Sequence, residues 1–268
     1  MDKRVRIVKR VMDVVASGIG LAITAPFFPL IAAAVYIDSP GPIFLKQKRA
    51  GELIDEGLDE NAIDHQNTVR QDTVQLPRFV EFEMYKFRSM IPDAEKHTGQ
   101  VIASKSDSRI TRVGSFIRKT RIDELPQLWN ILKGDMSLVG PRPERPERQA
   151  NLALAIPFFE ERMRDVKPGL TGLAQTNLGY SGRASDESAI KAFEATLVNP
   201  FALEFTGLGD GDDEDDDDEA IAEADDMRMK LLYDLPYVAN LERLSSFLRI
   251  DIGIILRTPL VMIRGLGR

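Results

Sequence analysis

Two adjacent carboxylates in the middle of the chain are the residues best suited to chemistry. Asp123 and Glu124 open the stretch DELPQLWNILKG, whose apolar residues recur at helical spacing. A carboxylate at a helix N-terminus near cations stays ionised, so it is available as a nucleophile or as a ligand for Mg²⁺. The same pair also has a purely structural use, because Asp123 is a good N-cap and both acids complement the helix dipole.

Basic side chains collect around this pair in the sequence. Guanidinium groups match phosphate oxygens in bidentate fashion, so we expect a phosphorylated ligand. The residues predicted to contact it are Lys86, Arg88, Arg118, Arg142, Arg145 and Lys167. Base-stacking aromatic residues are not interleaved with these cations, so we expect no nucleic-acid partner.

Composition excludes several kinds of catalytic site. The chain has 268 residues, no cysteine and two histidines, His65 and His97. Disulfides and thiolate chemistry are therefore excluded, and we expect neither a histidine-built zinc site nor a Ser-His-Asp triad. Acid–base or nucleophilic chemistry must rest on carboxylates, lysines or hydroxyl groups.

The net charge of −7 comes from two acidic segments, and the rest of the chain is strongly basic. Residues 204–226 hold 13 acidic residues and no basic one, and residues 52–83 hold nine acidic residues against two arginines. Outside these two segments, 33 basic residues face 20 acidic ones, which indicates anionic partners such as phosphates or a membrane surface. We predict an acidic insertion loop at 52–83 and a disordered acidic loop at 203–228.

An uncharged run near the N-terminus predicts contact with a membrane. Val14 to Ile37 comprises 24 residues without a charge; as a helix it would reach about 36 Å, against about 30 Å for a bilayer core. Pro26 interrupts the run, and basic residues flank it on both sides. We therefore favour a re-entrant helix over residues 1–40, broken at Ala25-Pro26, with both ends at the cytoplasmic face. A true span and a buried core helix are the alternatives.

The remaining pattern predicts an α+β fold that is mostly helical, with a few short strands, in one membrane-seated domain covering 1–268. A C-terminal amphipathic helix over 245–265 is expected to lie at the membrane interface, the alternative being a helix packed on the protein's own core. Short strands are expected on either side of the 52–83 segment, and two short amphipathic helices in RITRVGSFIRKT and DELPQLWNILKG. Further helices are predicted at 145–164, 185–198 and 227–240.

Four stretches resemble one known family. They are PGPIFLKQKRAG after the proline-broken helix, then YKFRSM, then RITRVGSFIRKTRIDELPQLWNILKGDMSLVGPRPE, then VKPGLTGLAQ. In this order, within residues 1–50, 84–148 and 164–180, they are similar to the bacterial sugar transferases, the small membrane-seated phosphoglycosyl transferases. Two positions depart from the family pattern: Ala25 stands where a serine is frequent, and Leu173 where a tryptophan is common.

The resemblance implies an activity and a role for each acid. Such enzymes move a sugar 1-phosphate from a nucleotide-diphosphate sugar, by default a UDP-sugar, to a polyprenyl phosphate at the cytoplasmic membrane face, and they release the nucleoside monophosphate. Asp123 would attack the sugar-bearing phosphorus and carry the sugar phosphate as an acyl phosphate. Glu124 would help to hold Mg²⁺, and Arg118, Arg142 and Lys86 would stabilise the developing charge. The product opens glycan or exopolysaccharide assembly.

Two other functions stay open at this point. A glycosyltransferase-like enzyme would move the sugar without its phosphate and release the nucleoside diphosphate. A catalytically inactive relative would act as a membrane scaffold for glycan assembly. The sequence also leaves the oligomeric state open, a homo-oligomer included.

Overall fold

The computed structural model of the protein describes residues 1–55, 77–94, 107–178 and 214–263. This part of the chain is mostly helical, as predicted, with two small two-stranded sheets. The helices are α1 (Lys3–Thr24), α2 (Phe28–Asp38), α3 (Arg112–Lys119), α4 (Gln127–Lys133), α5 (Pro146–Ala155), α6 (Leu173–Leu178), α7 (Glu214–Asn240) and α8 (Leu244–Ile263). The strands are β1 (Phe44–Asp55), β2 (Arg78–Phe87), β3 (Ser137–Val139) and β4 (Gly169–Thr171). Short 3₁₀ turns cover Ala25–Phe27, Ile122–Glu124 and Phe159–Met163.

The N-terminal helical unit is long and apolar enough to cross a membrane, by length and composition. It runs from Lys3 to Asp38, and the mean hydropathy of its most apolar window is 2.0, with 6% of that window buried. The predicted break falls where the structure has the 3₁₀ turn Ala25–Phe27, with Pro26 in its first turn. The Thr24 hydroxyl donates to the Gly20 carbonyl 2.7 Å away, one turn back inside α1.

Helix α1 has two faces of opposite character. Every fourth residue on one face is buried, and this face carries Val5, Lys9, Asp13 and Ser17. The opposite face is exposed and apolar, with Ile7, Val11, Val15, Ile19 and Ile23. Because the exposed side is the apolar side, the helix is polar where it meets protein, which is the reverse of a helix in a water-soluble domain.

Polar contacts hold this inner face of α1 against three other elements. Lys9 Nζ donates to Asp251 Oδ2 of α8 at 2.6 Å and to the Tyr237 hydroxyl of α7 at 3.0 Å. Asp13 Oδ1 accepts hydrogen bonds from the hydroxyl of Ser137 (3.0 Å) and the backbone N–H of Leu138 (2.8 Å), both in β3. The helix is therefore part of the folded body as well as its most apolar surface.

The hairpin of β1 and β2 corrects the predicted bounds of the first acidic segment. The strands pair antiparallel from Phe44↔Phe87 to Asp55↔Arg78, so residues 52–55 and 78–83 are strand and not loop. Glu81 and Glu83 point outward, where they pair with Lys48 and Lys46 of β1, while Phe82 between them is buried. Glu81 and Glu83 thus lie on the solvent-exposed face of strand β2, where acidic side chains are expected. Residues 56–76 lie outside the described residues.

The second acidic segment is also shorter than predicted. Helix α7 begins at Glu214, so residues 214–228 are helical and not a disordered loop, while 203–213 lie outside the described residues. The helix predicted at 227–240 is confirmed as the C-terminal half of α7. The one predicted at 185–198 also falls outside the described part of the chain.

One face of the C-terminal helix packs on the protein's own core, which was one of the two alternatives. α8 covers nearly the predicted range, and its Phe247 and Ile254 are buried in a cluster with Val5 of α1 and Val139 of β3. Its other face exposes large apolar side chains at Ile252, Leu256, Leu260 and Met262. One side of the helix therefore packs on the core, and the other side is exposed and apolar. Its position at a membrane interface stays a prediction.

The buried Lys9–Asp251 pair gives a prediction about stability. Both side chains are less than 10% exposed, so the Lys9→Met variant would leave a carboxylate buried without its cation. We expect the free energy of unfolding in detergent to fall by about 3–5 kcal/mol. The double variant Lys9→Met/Asp251→Leu should recover much of the loss, and Lys3→Met, at an exposed position, should lose little. A Lys9→Met protein as stable as Lys3→Met would contradict this role.

Candidate active site

The backbone around the two carboxylates is a tight turn between α3 and α4. Arg121 adopts a left-handed conformation, with φ of 59°, directly after α3 and its C-cap, and the 3₁₀ turn Ile122–Glu124 follows. A residue other than glycine in this region costs about 1–3 kcal/mol, a cost that is met most often at functional sites. The predicted N-cap role of Asp123 is wrong, because Pro126 caps α4 and Asp123 stands before it in the 3₁₀ turn.

Asn130, in the middle of α4, fixes this helix against strand β2. Its side chain is fully buried, and its Oδ1 accepts from the backbone N–H of Tyr85 at 3.0 Å while its Nδ2 donates to the Glu83 carbonyl at 2.7 Å. These bonds occupy backbone groups on the outer edge of β2. They bring Lys86, the next residue of the strand, to the carboxylate pair.

Glu124 lies at a meeting point of cations from three parts of the chain. Its Oε1 is 3.6 Å from Arg142 Nη2, 3.8 Å from Lys86 Nζ and 3.8 Å from Arg121 Nη1. Each separation is an ion-pair distance slightly longer than a hydrogen bond. Burial, partly offset by Glu124, lowers the pKa of Lys86 to about 8, and nearby Arg142 and Arg49 add to the effect.

Asp123 has an oxygen that no described residue binds. The side chain is 9% exposed, and its Oδ1 is buried without a hydrogen-bond partner among the described residues. Burial, and then the charge of Glu124, raises the pKa of Asp123 to about 6, against the lowering effect of Lys86, Arg121 and Arg118. The carboxylate is thus still ionised at neutral pH, but it is poorly solvated and therefore reactive.

The structure brings three of the predicted cations to the dyad. Lys86 and Arg142 approach Glu124, and Arg118, on the last turn of α3, acts electrostatically on Asp123. Arg145 stands at the N-cap of α5, where it acts on Arg49. It belongs to a neighbouring group of charges.

Two of the predicted cations are engaged elsewhere. The guanidinium of Arg88 is buried and donates to the carbonyls of Ser39 and Pro40, so it closes the turn after α2. The Nζ of Lys167 lies at the C-terminal end of α4, where it would be 3.5 Å from a Cβ placed on Gly134. Since α4 spans about 10 Å, this is the opposite end from the dyad. There the charge complements the helix dipole instead.

Sequence reasoning missed the residue that holds Arg142 in place. Arg162 is 1% exposed; its Nη2 donates to the Arg142 carbonyl at 3.0 Å and its Nε to Asp234 Oδ2 at 2.9 Å. Helix α7 therefore supports the loop that delivers Arg142, although the two are far apart in the chain. No local pattern around Arg162 or Asp234 signals this contact. Arg121 and Arg49 stood within the quoted motifs but outside the predicted site.

The carboxylate pair fits a magnesium ion that is shared with a substrate. The described residues contain no group of three or more acidic, histidine or cysteine side chains suited to a metal. Mg²⁺ is usually held by one or two carboxylates together with phosphate oxygens and water. Glu124 and the unpartnered Oδ1 of Asp123 are donors of this kind, so the residues present agree with such a site.

Comparison with known proteins finds one matching family and several relatives of similar sequence. The chain matches the sequence model of the bacterial sugar transferases over residues 4–56 and 68–198. It is 32% identical, over 97% of its length and 44% of the relative's, to the UDP-N-acetylgalactosamine-undecaprenyl-phosphate N-acetylgalactosaminephosphotransferase of Aeromonas hydrophila. It is 36% identical, over 69% of its length and 33% of the relative's, to the UDP-glucose:undecaprenyl-phosphate glucose-1-phosphate transferase of Xanthomonas campestris pv. campestris.

A third relative extends the same pattern. The UDP-glucose:undecaprenyl-phosphate glucose-1-phosphate transferase of Caulobacter vibrioides is 37% identical over 62% of this chain and 52% of its own length. The chain spans about half the length, or less, of these three curated relatives. The family match covers the dyad, Lys86 and the loop of Arg142, and ends before α7 begins. On the extent of this match, the chain belongs to the bacterial sugar transferase family.

Proposed function

We propose that the protein transfers a sugar 1-phosphate from a UDP-sugar to a polyprenyl phosphate, releases UMP, and so opens glycan or exopolysaccharide assembly. The observation that carries this proposal is the buried Asp123 oxygen without a hydrogen-bond partner, beside a Glu124 on which three cations converge. The family match covers the dyad, and the relatives named above act, by their names, on UDP-sugars and undecaprenyl phosphate. Geometry and family therefore agree.

The proposed chemistry has two displacements at one phosphorus. In the first, an Asp123 oxygen forms a bond to the sugar-bearing phosphorus, the bond from that phosphorus to the bridging oxygen breaks, and UMP leaves with the electron pair. In the second, an oxygen of polyprenyl phosphate bonds to the same phosphorus and displaces the Asp123 carboxylate. The carboxylate is thus regenerated, and the product is a polyprenyl diphosphate sugar.

The cations around the dyad supply the electrostatic part of the reaction. Arg142 and Lys86 are already placed at Glu124, and Arg118 is placed near Asp123. Phosphoryl transfer depends mainly on such positioned charges, because the transition state spreads charge over the phosphoryl oxygens. Bound Mg²⁺ would neutralise further charge on the diphosphate, and Glu124 is the residue that we propose to hold it.

We also propose that the N-terminal helical unit enters and leaves the membrane by one face. Near its start, Arg10 donates to the carbonyls of Ile131 and Leu132 in α4, both at 2.7 Å. At its end, Asp38 Oδ2 accepts from the backbone N–H of Val113 in α3 at 2.8 Å. Helices α3 and α4 are joined by the short turn that carries the charged dyad, so they cannot lie on opposite sides of a bilayer. These contacts support a re-entrant unit, and the basic residues on both sides of the apolar run favour the cytoplasmic face.

The Asp123→Asn variant tests the proposed nucleophile. An amide cannot form the acyl phosphate, so we expect UMP release to fall on the order of 10³-fold or more. Thermal stability should be unchanged or higher, because the substitution removes a charge that burial and Glu124 disfavour. Asp165→Asn is the control, since Asp165 is half-exposed and pairs with Arg6 away from the dyad. Full activity of Asp123→Asn would remove this residue from the mechanism, and UDP as the product would indicate a glycosyltransferase instead.

Metal removal tests the proposed role of Glu124. We expect a chelator to abolish UMP release and Mg²⁺ to restore it. The Glu124→Gln variant should need at least about tenfold more Mg²⁺ for half-maximal rate, because it loses a charged oxygen ligand. Glu161→Gln, which alters an ion pair with Arg164 on the surface, should keep the wild-type requirement. An unchanged Mg²⁺ requirement in Glu124→Gln would count against this ligand.

Cysteine labelling tests the topology, aided by the absence of native cysteine. Cysteines introduced by Lys3→Cys and Lys48→Cys, both at exposed positions before and after the apolar run, should react with a membrane-impermeant reagent from the cytoplasmic side only. Leu30→Cys, at an exposed position of α2, should resist this reagent from both sides. Labelling of the first two positions from opposite sides would show a span.

A further inference from the structure

Gln127, the first residue of α4, carries a buried donor without a partner. Its side chain is 3% exposed, and its Nε2 forms no hydrogen bond with any described residue. Buried donors are almost always bonded in folded proteins, and an unpaired one is costly. Gln127 has no role in the reaction proposed above, so its donor is available to a ligand.

The other buried amide of α4 is fully used in holding the fold. Asn130 bonds to the backbone of Tyr85 and Glu83 in β2, and its Nδ2 also donates to Asp135 Oδ2 at 3.1 Å. It stands three residues after Gln127, on the same buried side of the helix. The packing of α4 therefore pairs the amide that holds the helix in place, and it leaves the amide nearer the dyad unpaired.

Gln127 stands one helical turn beyond the two carboxylates. The backbone between the 3₁₀ turn and α4 stays in the right-handed helical region, so the two elements form one continuous helical stretch. Gln127 follows Glu124 by three residues and Asp123 by four, and side chains at these spacings are neighbours. The unpaired amide therefore lies beside the dyad.

The two unpaired atoms beside each other call for a third group between them. Asp123 Oδ1 is an acceptor and Gln127 Nε2 is a donor, both are buried, and yet they do not bond to each other. A phosphoryl group suits such a pair, because its phosphorus is electrophilic and its non-bridging oxygens accept hydrogen bonds. The terminal torsion of glutamine is soft, so a small rotation aims the N–H group at a phosphoryl oxygen.

We propose that Gln127 is a further catalytic residue, whose Nε2 donates a hydrogen bond to a non-bridging oxygen of the phosphoryl group that Asp123 attacks. This inference rests on the proposed function and deepens it. The amide adds a directed donor without adding charge to a site that already holds the cations of Lys86 and Arg142. It contacts the group that is transferred, and not the part of either substrate that leaves or arrives.

One contact of this kind serves both displacements. The polyprenyl phosphate enters from the side that UMP has left, so the phosphorus moves along the line of attack. Its two non-bridging oxygens and the sugar oxygen stay around this line, and the transition states spread charge over the non-bridging oxygens. A donor aimed at one of them therefore stabilises both transition states, and its loss should slow both halves of the reaction.

Isotope exchange at saturating substrate tests the contact in each half of the reaction separately. Exchange of labelled UMP into the UDP-sugar needs only the first displacement, and exchange of labelled polyprenyl phosphate into the polyprenyl diphosphate sugar needs only the second. Gln127→Met keeps the length of the side chain but loses the donor, so we expect it to slow both exchanges about 10²-fold. Gln127→Asn, which keeps an amide, should lose less. Lys133→Gln, at a half-exposed position of α4, should match wild type.

Thermal unfolding separates this role from a structural one. Gln127→Met removes a buried donor that has no partner, so we expect its unfolding temperature to equal or exceed that of wild type. Asn130→Leu, which breaks the bonds to β2, should unfold at a lower temperature. Slowing of one exchange only, unchanged exchange rates, or destabilisation of Gln127→Met together with its loss of activity would refute the contact.

Direct binding separates this inference from the proposed function. UDP carries the phosphoryl group in question and UMP lacks it, so calorimetry with these two nucleotides and Mg²⁺ needs no turnover. We expect Gln127→Met to bind UDP about fivefold more weakly than wild type does, and to bind UMP equally well. If this result were found while wild type transferred no sugar phosphate, only the proposed function would fail. Equal UDP affinity of the two proteins, or an equal loss for both nucleotides, would refute the contact even in an active enzyme.

Discussion

The dyad is organised by one constraint: two neighbouring carboxylates must stay charged while both are buried. Glu124 meets this constraint through cations from β2, from the turn before it and from the loop after β3. Asp123 meets it less completely, because its Oδ1 has no hydrogen-bond partner among the described residues and burial raises its pKa. The charge of Glu124 is thus well compensated by nearby cations, and the charge of Asp123 is poorly compensated. An acid of the second kind is stabilised when it reacts with, or binds beside, a positively polarised centre.

Several helices and strands position the charges at the dyad, and each is held in place by a buried polar contact. Asn130 joins α4 to β2, Arg162 joins the Arg142 loop to α7, and Asp13 joins β3 to α1. Buried polar networks are costly when incomplete, so they favour one arrangement of the elements that they join. The charges at the dyad therefore depend on helices that contribute no atom to it, including α7, which lies beyond the family match.

Residue types and family motifs were enough to predict which charged residues meet at the dyad, but not the residues that support them. The dyad, Lys86 and Arg142 could be predicted because their residue types and the family motifs point to phosphate chemistry. Arg88 and Lys167 lie in the same motifs and point elsewhere, since residue type does not show the direction of a side chain. Arg162 and Asp234 meet across 72 positions of the chain, which no short window reveals. Acidic composition likewise concealed strand at 78–83 and helix at 214–228, because a solvated face and a helix start both favour acids.

The polar inner face of α1 has a consequence for handling the protein. Val5, Lys9 and Asp13 fill space between α7, α8 and β3, so removing the first 40 residues would also remove part of the interior. Tyr237, Phe247 and Asp251 would then be uncovered together. Trimming this helix would therefore differ from removing a separate tethering helix, because it would open the core of the remaining domain. The apolar N-terminal unit and the domain that holds the dyad form one folding unit.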